Sequence, residues 1–149
     1  MKNQIESYIS YTLAAAHRAV HQSLTAALKE HGVQVEVWRV LETLDSQSSL
    51  TMGELAKIVL MNPPTLTKMV DRMVMDGLVH RQIGKSDQRQ VNLMLTDLGR
   101  KRMAQIREVV QSQNDAICSL LGESEVAKLT DTLAQLMCKL QVLPRHPVM

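Results

Sequence analysis

Phenylalanine is absent from this 149-residue chain, and Tyr8, Tyr11 and Trp38 are its only aromatic residues. Proteins that hold single-stranded nucleic acid commonly stack bases on exposed rings, so that mode of binding lacks its platform here. Cysteine is almost as scarce. Cys118 and Cys138 stand 20 positions apart, outside any CxxC or Cys/His cluster, which argues against a disulfide scaffold and against structural zinc. No apolar run approaches the roughly 20 residues that a membrane-spanning helix needs. The N-terminal stretch lacks a charged segment followed by an apolar one, so no secretory signal is expected and a cytoplasmic location is. Low-complexity tracts, an acidic tail and internal repeats are also missing.

What is present is an ordinary globular composition, 45% hydrophobic and 21% charged, with methionine and leucine filling the apolar positions. The net charge of +2 conceals an uneven distribution. Residues 51–102 carry nine lysines and arginines against five acidic residues, a local excess of four positive charges, while the rest of the chain is mildly acidic. A basic middle between acidic ends is the footprint expected of a protein that meets a polyanion.

Apolar residues recur every three or four positions at Ile5, Ile9, Leu13, Ala16, Val20, Leu24 and Ala27, which predicts one long helix over 4–30, ended by His31-Gly32. Val37, Val40, Leu41 and Leu44 predict a second helix, closed by a polar turn. Thr51-Met52-Gly53-Glu54 has the form of a capping box and opens a short third helix that should bury Leu55, Ile58 and Val59. Asn62-Pro63-Pro64 restarts the chain, since Asn caps and proline suits the first helical turn. The fourth helix then follows the stripe Leu66, Met69, Val70, Met73, Val74.

The period changes to two at Val79, Arg81 and Ile83, and again at Val91, Leu93 and Leu95, with Gly84-Lys85-Ser86-Asp87 as the turn between them. This pattern predicts a β-hairpin. Beyond it, Thr96 starts a long amphipathic helix through Met103, Ile106, Val110, Ile117 and Leu121. Gly122 breaks that helix, and Val126, Leu129, Leu133, Leu136 and Leu140 form a last one before Pro144 and Pro147.

Short helices followed by a hairpin are the order of a winged helix-turn-helix, and here that order falls within the basic segment. The predicted fold class is mainly α with a small β-hairpin wing. The major groove of duplex DNA admits an α-helix and displays a distinguishing pattern of base edges. The fourth helix is the candidate reader. Pro64, Thr65, Thr67 and Lys68 offer apolar, hydroxyl and cationic groups in its first turns, and Arg72 follows one turn later, suited to a phosphate.

Leu55-Ala56, Thr65-Leu66-Thr67-Lys68-Met69-Val70-Asp71-Arg72-Met73, Asp76-Gly77-Leu78-Val79, Asp87-Gln88-Arg89 and Leu95-Thr96-Asp97-Leu98-Gly99 come in one order. On these segments the chain resembles the MarR family of bacterial winged helix-turn-helix transcription regulators, over roughly residues 10–140. The resemblance implies a triangular homodimer. Residues 1–34 and 97–149 would form its helical dimerisation region, and residues 35–96 the DNA-binding lobe. It also implies that Asp87 braces Arg89 at the wing tip and that Arg89 enters the minor groove, where a narrow groove concentrates negative potential. Two departures stand out. Pro64 occupies a position that is polar in many relatives, and Gln88 interrupts a wing motif that is often more basic.

The implied function is a ligand-responsive repressor bound to a pseudo-palindromic double-stranded DNA operator with half-sites about one helical turn apart. Family members often take phenolic or carboxylate effectors, and His17, His21, Trp38 and Arg39 are candidates for lining a cleft for a small aromatic or anionic one. His17 and His21, four apart on a helix, also have the spacing of two metal ligands, but no third ligand is near in sequence, so no metal or cofactor is expected. A nucleophile with a paired base, a glycine-rich phosphate loop and a metal-ligand set are all missing, so an enzyme is disfavoured. The competing class is a winged-helix module that meets an acidic protein partner instead of DNA.

Overall fold

The computed structural model describes residues 3–83 and 90–141. A 3-10 turn at Gln4–Ser7 leads into α1 (Ile9–Lys29) and α2 (Val35–Ser46). β1 (Leu50–Thr51), α3 (Met52–Val59), α4 (Pro63–Met75), β2 (Val79–Ile83) and β3 (Val91–Leu95) follow, and α5 (Asp97–Leu121) and α6 (Glu123–Leu140) complete the order. The chain divides into two compact units between Gln111 and Ser112, a point within α5.

The core of the first unit is apolar throughout. Leu28, Leu41, Leu55, Leu66, Met73, Leu93, Met103 and Ile106 are its largest fully buried side chains, and no polar side chain is buried among the described residues. Each such leucine removed from water contributes about 1.5–3 kcal/mol. α2 delivers Val35, Val40, Leu41 and Leu44 to this core, and α3 delivers Leu55, Ala56 and Val59. Ile58, expected inside, is 47% exposed. Helical geometry explains the correction: Leu55, Ala56 and Val59 form one stripe, and Ile58 lies about 100° around the axis from its centre.

The helix boundaries follow from their caps. Thr51 accepts the backbone N–H of Glu54 at 3.2 Å, as a capping box requires, but Glu54 receives the Thr51 hydroxyl at 2.8 Å rather than the backbone of the cap. Asn62 Oδ1 accepts the N–H of Thr65 at 3.0 Å, and Pro63 and Pro64 occupy the first turn of α4. α1 starts later than the apolar period implied. Ser7 donates to the Gln4 carbonyl at 2.6 Å and Tyr8 is extended, so the first turn closes on itself and the helix begins at Ile9.

α1 and α4 end alike. Gly32 at φ +68° lets Val33 reach back to the Leu28 carbonyl, and Gly77 at φ +78° lets Leu78 reach that of Met73. Both satisfy otherwise orphaned carbonyls through a left-handed residue that only glycine adopts without cost.

The sheet has the order β1-β3-β2, antiparallel throughout. β1 takes the place of a region expected to be a plain polar turn, and it pairs Leu50 with Leu93 and Thr51 with Asn92. The hairpin of β2 and β3 is as expected. Val79 opposite Leu95 is buried at its root, and Ile83 opposite Val91 is exposed at the far end. The expected turn at residues 84–87 lies outside the described residues.

Thr96 joins the root of the hairpin to α5. Its hydroxyl donates to the Gly77 carbonyl and accepts the N–H of Gly99 at 3.0 Å, and its own N–H donates to the Leu78 carbonyl at 3.1 Å. Further along α5, Arg102 donates to the His31 carbonyl at the end of α1, where a cation is favoured by the helix dipole. Arg107 donates to Asp45 and lies 3.7 Å from Glu42, tying α5 to α2. The hydrogen bond to Asp45 holds the Arg107 guanidinium above its ordinary value.

The second unit contains the end of α5, Gly122 at φ +87° and α6. Val126, Leu133 and Leu136 are half-buried on one side of α6, whereas Leu129, Met137 and Leu140 are exposed. Cys118 is half-buried and Cys138 exposed, and both are free thiols. The expected stop at Pro144 and Pro147 lies outside the described residues. No described helix is long and apolar enough to cross a membrane.

Candidate nucleic-acid interface

α3 and α4, joined by a turn through Leu60 and Met61, form a helix-turn-helix, and the hairpin of β2 and β3 stands beside it. α4 is anchored by Leu66, Val70 and Met73, which are buried at the helical period. Its opposite face is therefore fixed outward. Pro64, Lys68, Asp71, Arg72 and Met75 share that face, all exposed. Thr65 and Thr67 lie on its two flanks, also exposed, and the Thr67 hydroxyl donates to the Pro63 carbonyl at 2.8 Å. The sequence-based candidates on α4 are thus brought together on one exposed surface.

Two residues of this surface went unassigned in the sequence reading. Arg81 of β2 donates to the Asp71 carboxylate and so links hairpin to helix. Met75 is 86% exposed on the same stripe as Pro64 and Lys68, a large apolar group turned to solvent. Spacing alone could have found Met75, since 64, 68 and 75 fall together at 3.6 residues per turn. Asp87 and Arg89 lie outside the described residues.

An open cleft of about 810 Å³ runs beside α4 within the first unit. Val37, Leu41 and Met69 supply apolar walls, and the charged lining is Lys68, Arg72 and Arg102 with Glu36 and Asp76. A smaller cleft of about 380 Å³ is lined by His21, Lys29 and Glu36, among others.

The four residues considered for a ligand do not share one cleft. His17 and His21 approach each other with ring centroids 5.5 Å apart, and His21 lies 4.0 Å from Glu36. Trp38 instead donates to Glu42 at 3.4 Å, and Arg39 is half-buried on α2. His21 alone of the four lines either cleft. Among the described residues no group of three potential ligands could hold a metal ion.

A helix-turn-helix with a cation-bearing outward helix and an adjacent hairpin narrows the comparison with known proteins. The MarR family model matches residues 35–91. The HTH-type transcriptional regulator FarR of Neisseria gonorrhoeae is 32% identical over 128 residues, covering 86% of this chain and 88% of that protein. The chain belongs to the MarR family. The HTH-type transcriptional repressor IacR of Pseudomonas putida is 28% identical, covering 93% of this MarR-family chain and 83% of its own length. The repressor CouR, solved bound to a 23-mer DNA duplex, superimposes with a TM-score of 0.83 at 26% identity, covering 92% of this chain and 98% of that one. The winged helix-turn-helix expected from the sequence is therefore the family fold, here mainly helical with one small antiparallel sheet.

Proposed function

We propose that this MarR-family protein is a homodimeric repressor that binds a pseudo-palindromic operator in duplex DNA and is released by a small anionic or aromatic ligand. The outward face of α4 is the observation that carries the reading. It presents two cations, Lys68 and Arg72, with Pro64 and the flanking Thr65 and Thr67, on a helix whose back is locked into the core. A helix so placed can enter the major groove, its cations meeting phosphates and its small side chains meeting base edges. Asp87 and Arg89 belong to the same reading, as the brace and the minor-groove contact of the wing.

Exposed apolar helix faces support the dimer. Ile5, Ile9, Leu13 and Val20 on and before α1, and Leu129, Met137 and Leu140 on α6, are all open in the single chain. Segments 1–34 and 97–149 are accordingly assigned to dimerisation, and 35–96 to the DNA-binding lobe. The location that suits this role is the cytoplasm, and no enzymatic activity is part of it.

Ligand response is assigned to the cleft beside α4. A carboxylate seated between Lys68, Arg72 and Arg102 with its apolar body against Val37 and Leu41 would engage the same cations that DNA needs. Such a ligand favours the free protein only through its difference in affinity between the two states. His17, His21, Trp38 and Arg39 are the further candidates for contact with that ligand, and His21 lines the smaller cleft.

The deciding experiment is a selection of duplexes from a random-sequence library with the purified full chain, read by sequencing and by a shift assay against excess random competitor. An enriched inverted repeat is the expected result. No enrichment over competitor at moderate salt, or a stable monomer by sedimentation, would overturn the proposal.

A further inference from the structure

The two faces of the hairpin differ in character. His80, Met94, Gln82 and Asn92 lie on the first, which is polar towards its far end. The second runs from the buried pair Val79 and Leu95, through Arg81 and Leu93, to Ile83 and Val91. Ile83 and Val91 are directly paired in register, 63% and 40% exposed. Isolated exposed apolar residues are normal on any protein. A cross-strand pair of β-branched side chains at the solvent end of a hairpin is instead a contiguous patch.

The direction of that patch is set by Arg81. Its side chain, on the same face, reaches Asp71 on the outward surface of α4. Ile83 lies two residues further along the strand, about 7 Å beyond Arg81 at the usual rise. The apolar pair therefore continues the surface formed by Pro64, Lys68 and Arg72, on the side of the wing. Neither β2 nor β3 contains a carboxylate, so nothing on these strands repels a phosphodiester chain.

We infer that the Ile83–Val91 pair packs against deoxyribose in the wall of the minor groove when α4 occupies the neighbouring major groove. This inference rests on the DNA-binding reading above. Between the phosphates, the sugars present C–H surface that a cation cannot use but a branched apolar side chain can. Both side chains are stiff at χ1, so little rotamer freedom is lost on contact. Packing against sugars also needs no unstacking of bases, in contrast to apolar wedges driven between base steps. The contact adds affinity without neutralising phosphate, and so without releasing counterions.

Ile83→Thr, Val91→Thr and the double substitution test this with the full chain and a duplex recovered from the random library by the unsubstituted protein. Threonine keeps the β-branch and suits a strand, and Val91→Thr is nearly isosteric, so the hairpin is retained. Anisotropy titrations over a range of KCl concentrations should show the double variant binding about tenfold more weakly, a loss in keeping with partial burial of two such side chains. The slope of log affinity against log salt should not change.

Equal affinity would overturn the inference while leaving the DNA-binding reading intact. A flatter slope would also overturn it, because the loss would then run through phosphate contacts. A change of association state on sizing would assign the patch to a second copy of the chain. If the unsubstituted protein recovers no duplex at all, both readings fall together. Should the double variant melt well below the parent, Val91→Thr alone decides, with an expected loss of about threefold and the same unchanged slope.

Discussion

Arg81 on the hairpin donates to Asp71 on α4, so the one carboxylate on the outward face of the reading helix between Pro64 and Met75 is held by a cation from the wing. Their side chains are 38% and 54% exposed, which limits what the pair adds to folding to about 1 kcal/mol or less. Its larger consequence is electrostatic, because an unneutralised Asp71 would face the phosphates that Lys68 and Arg72 are proposed to meet. Arg81→Ala should therefore weaken DNA binding by roughly tenfold, and by only about threefold in an Asp71→Ala background, as coupled residues behave in a double-mutant cycle. Equal losses in the two backgrounds, measured by anisotropy, would show that Arg81 acts independently of Asp71.

Lys68 and Arg72 lie on one face of α4, and each is expected to neutralise about one phosphate. Lys68→Ala and Arg72→Ala each remove a contact from both subunits of the dimer, so each should reduce the slope of log affinity against log salt by about 1.8, with weaker binding to every sequence. Thr65→Ala should leave the slope alone and relax preference at one base position of the selected site. A slope unchanged in both cation variants would remove α4 from the interface. Arg89→Ala is expected to behave as the cation variants do, and an unchanged affinity there would count against the wing assignment.

Thr96 and Gly99 hold the start of α5 against the end of α4. Gly99 is buried, and a Cβ on it would overlap the backbone carbonyl of Leu78, an atom that cannot move without displacing the strand. Gly99→Ala should therefore cost about 2–3 kcal/mol, in the upper range for overpacking. Thr96→Val removes both the cap on Gly99 and the donor to Gly77, and should cost about 1–2 kcal/mol. Urea unfolding of the two variants checks both values. A Gly99→Ala protein as stable as the parent would mean that the contact between α5 and Leu78 is looser than this packing requires.

The fold's features differ in how far the sequence discloses them. Periodicity placed the stripe of α4 and the alternation of the hairpin, because burial on one side leaves a period of 3.6 or two whatever the partner is. The caps at Thr51 and Asn62 were legible for a similar reason: the chemistry is local, spanning three residues. β1 was not, since two residues leave no alternation to detect and their pairing with Leu93 and Asn92 spans some forty positions.

Ile58 misled because an eight-residue helix has room for only one stripe, and Ala56 rather than Ile58 completes it. The link from Arg81 to Asp71 was hidden for another reason. Alternation says which strand residues share a face but not which helix that face meets. Among the ligand candidates, the hydrogen bond from Trp38 to Glu42 is likewise visible only in the folded chain.

Leu60 closes α3 in the left-handed region, at φ 60° and ψ 42°, and is the one non-glycine residue at positive φ among those described. Its N–H donates to the Ala56 carbonyl, and the next N–H, on Met61, reaches back to the same carbonyl. The turn thus needs the conformation but not the side chain, which is 79% exposed. An L-residue other than glycine pays about 1–2 kcal/mol for that conformation. Leu60→Gly relieves it at some cost in unfolded-chain entropy and should stabilise the protein by about 0.5–1 kcal/mol net. Leu60→Ala keeps the strain and loses only exposed surface, so its midpoint should stay with the parent. A higher urea midpoint for the glycine variant alone is the expected result. If glycine lowers the midpoint while alanine does not, the left-handed turn carries no strain and the helix-turn-helix gains nothing from a residue without Cβ at this position.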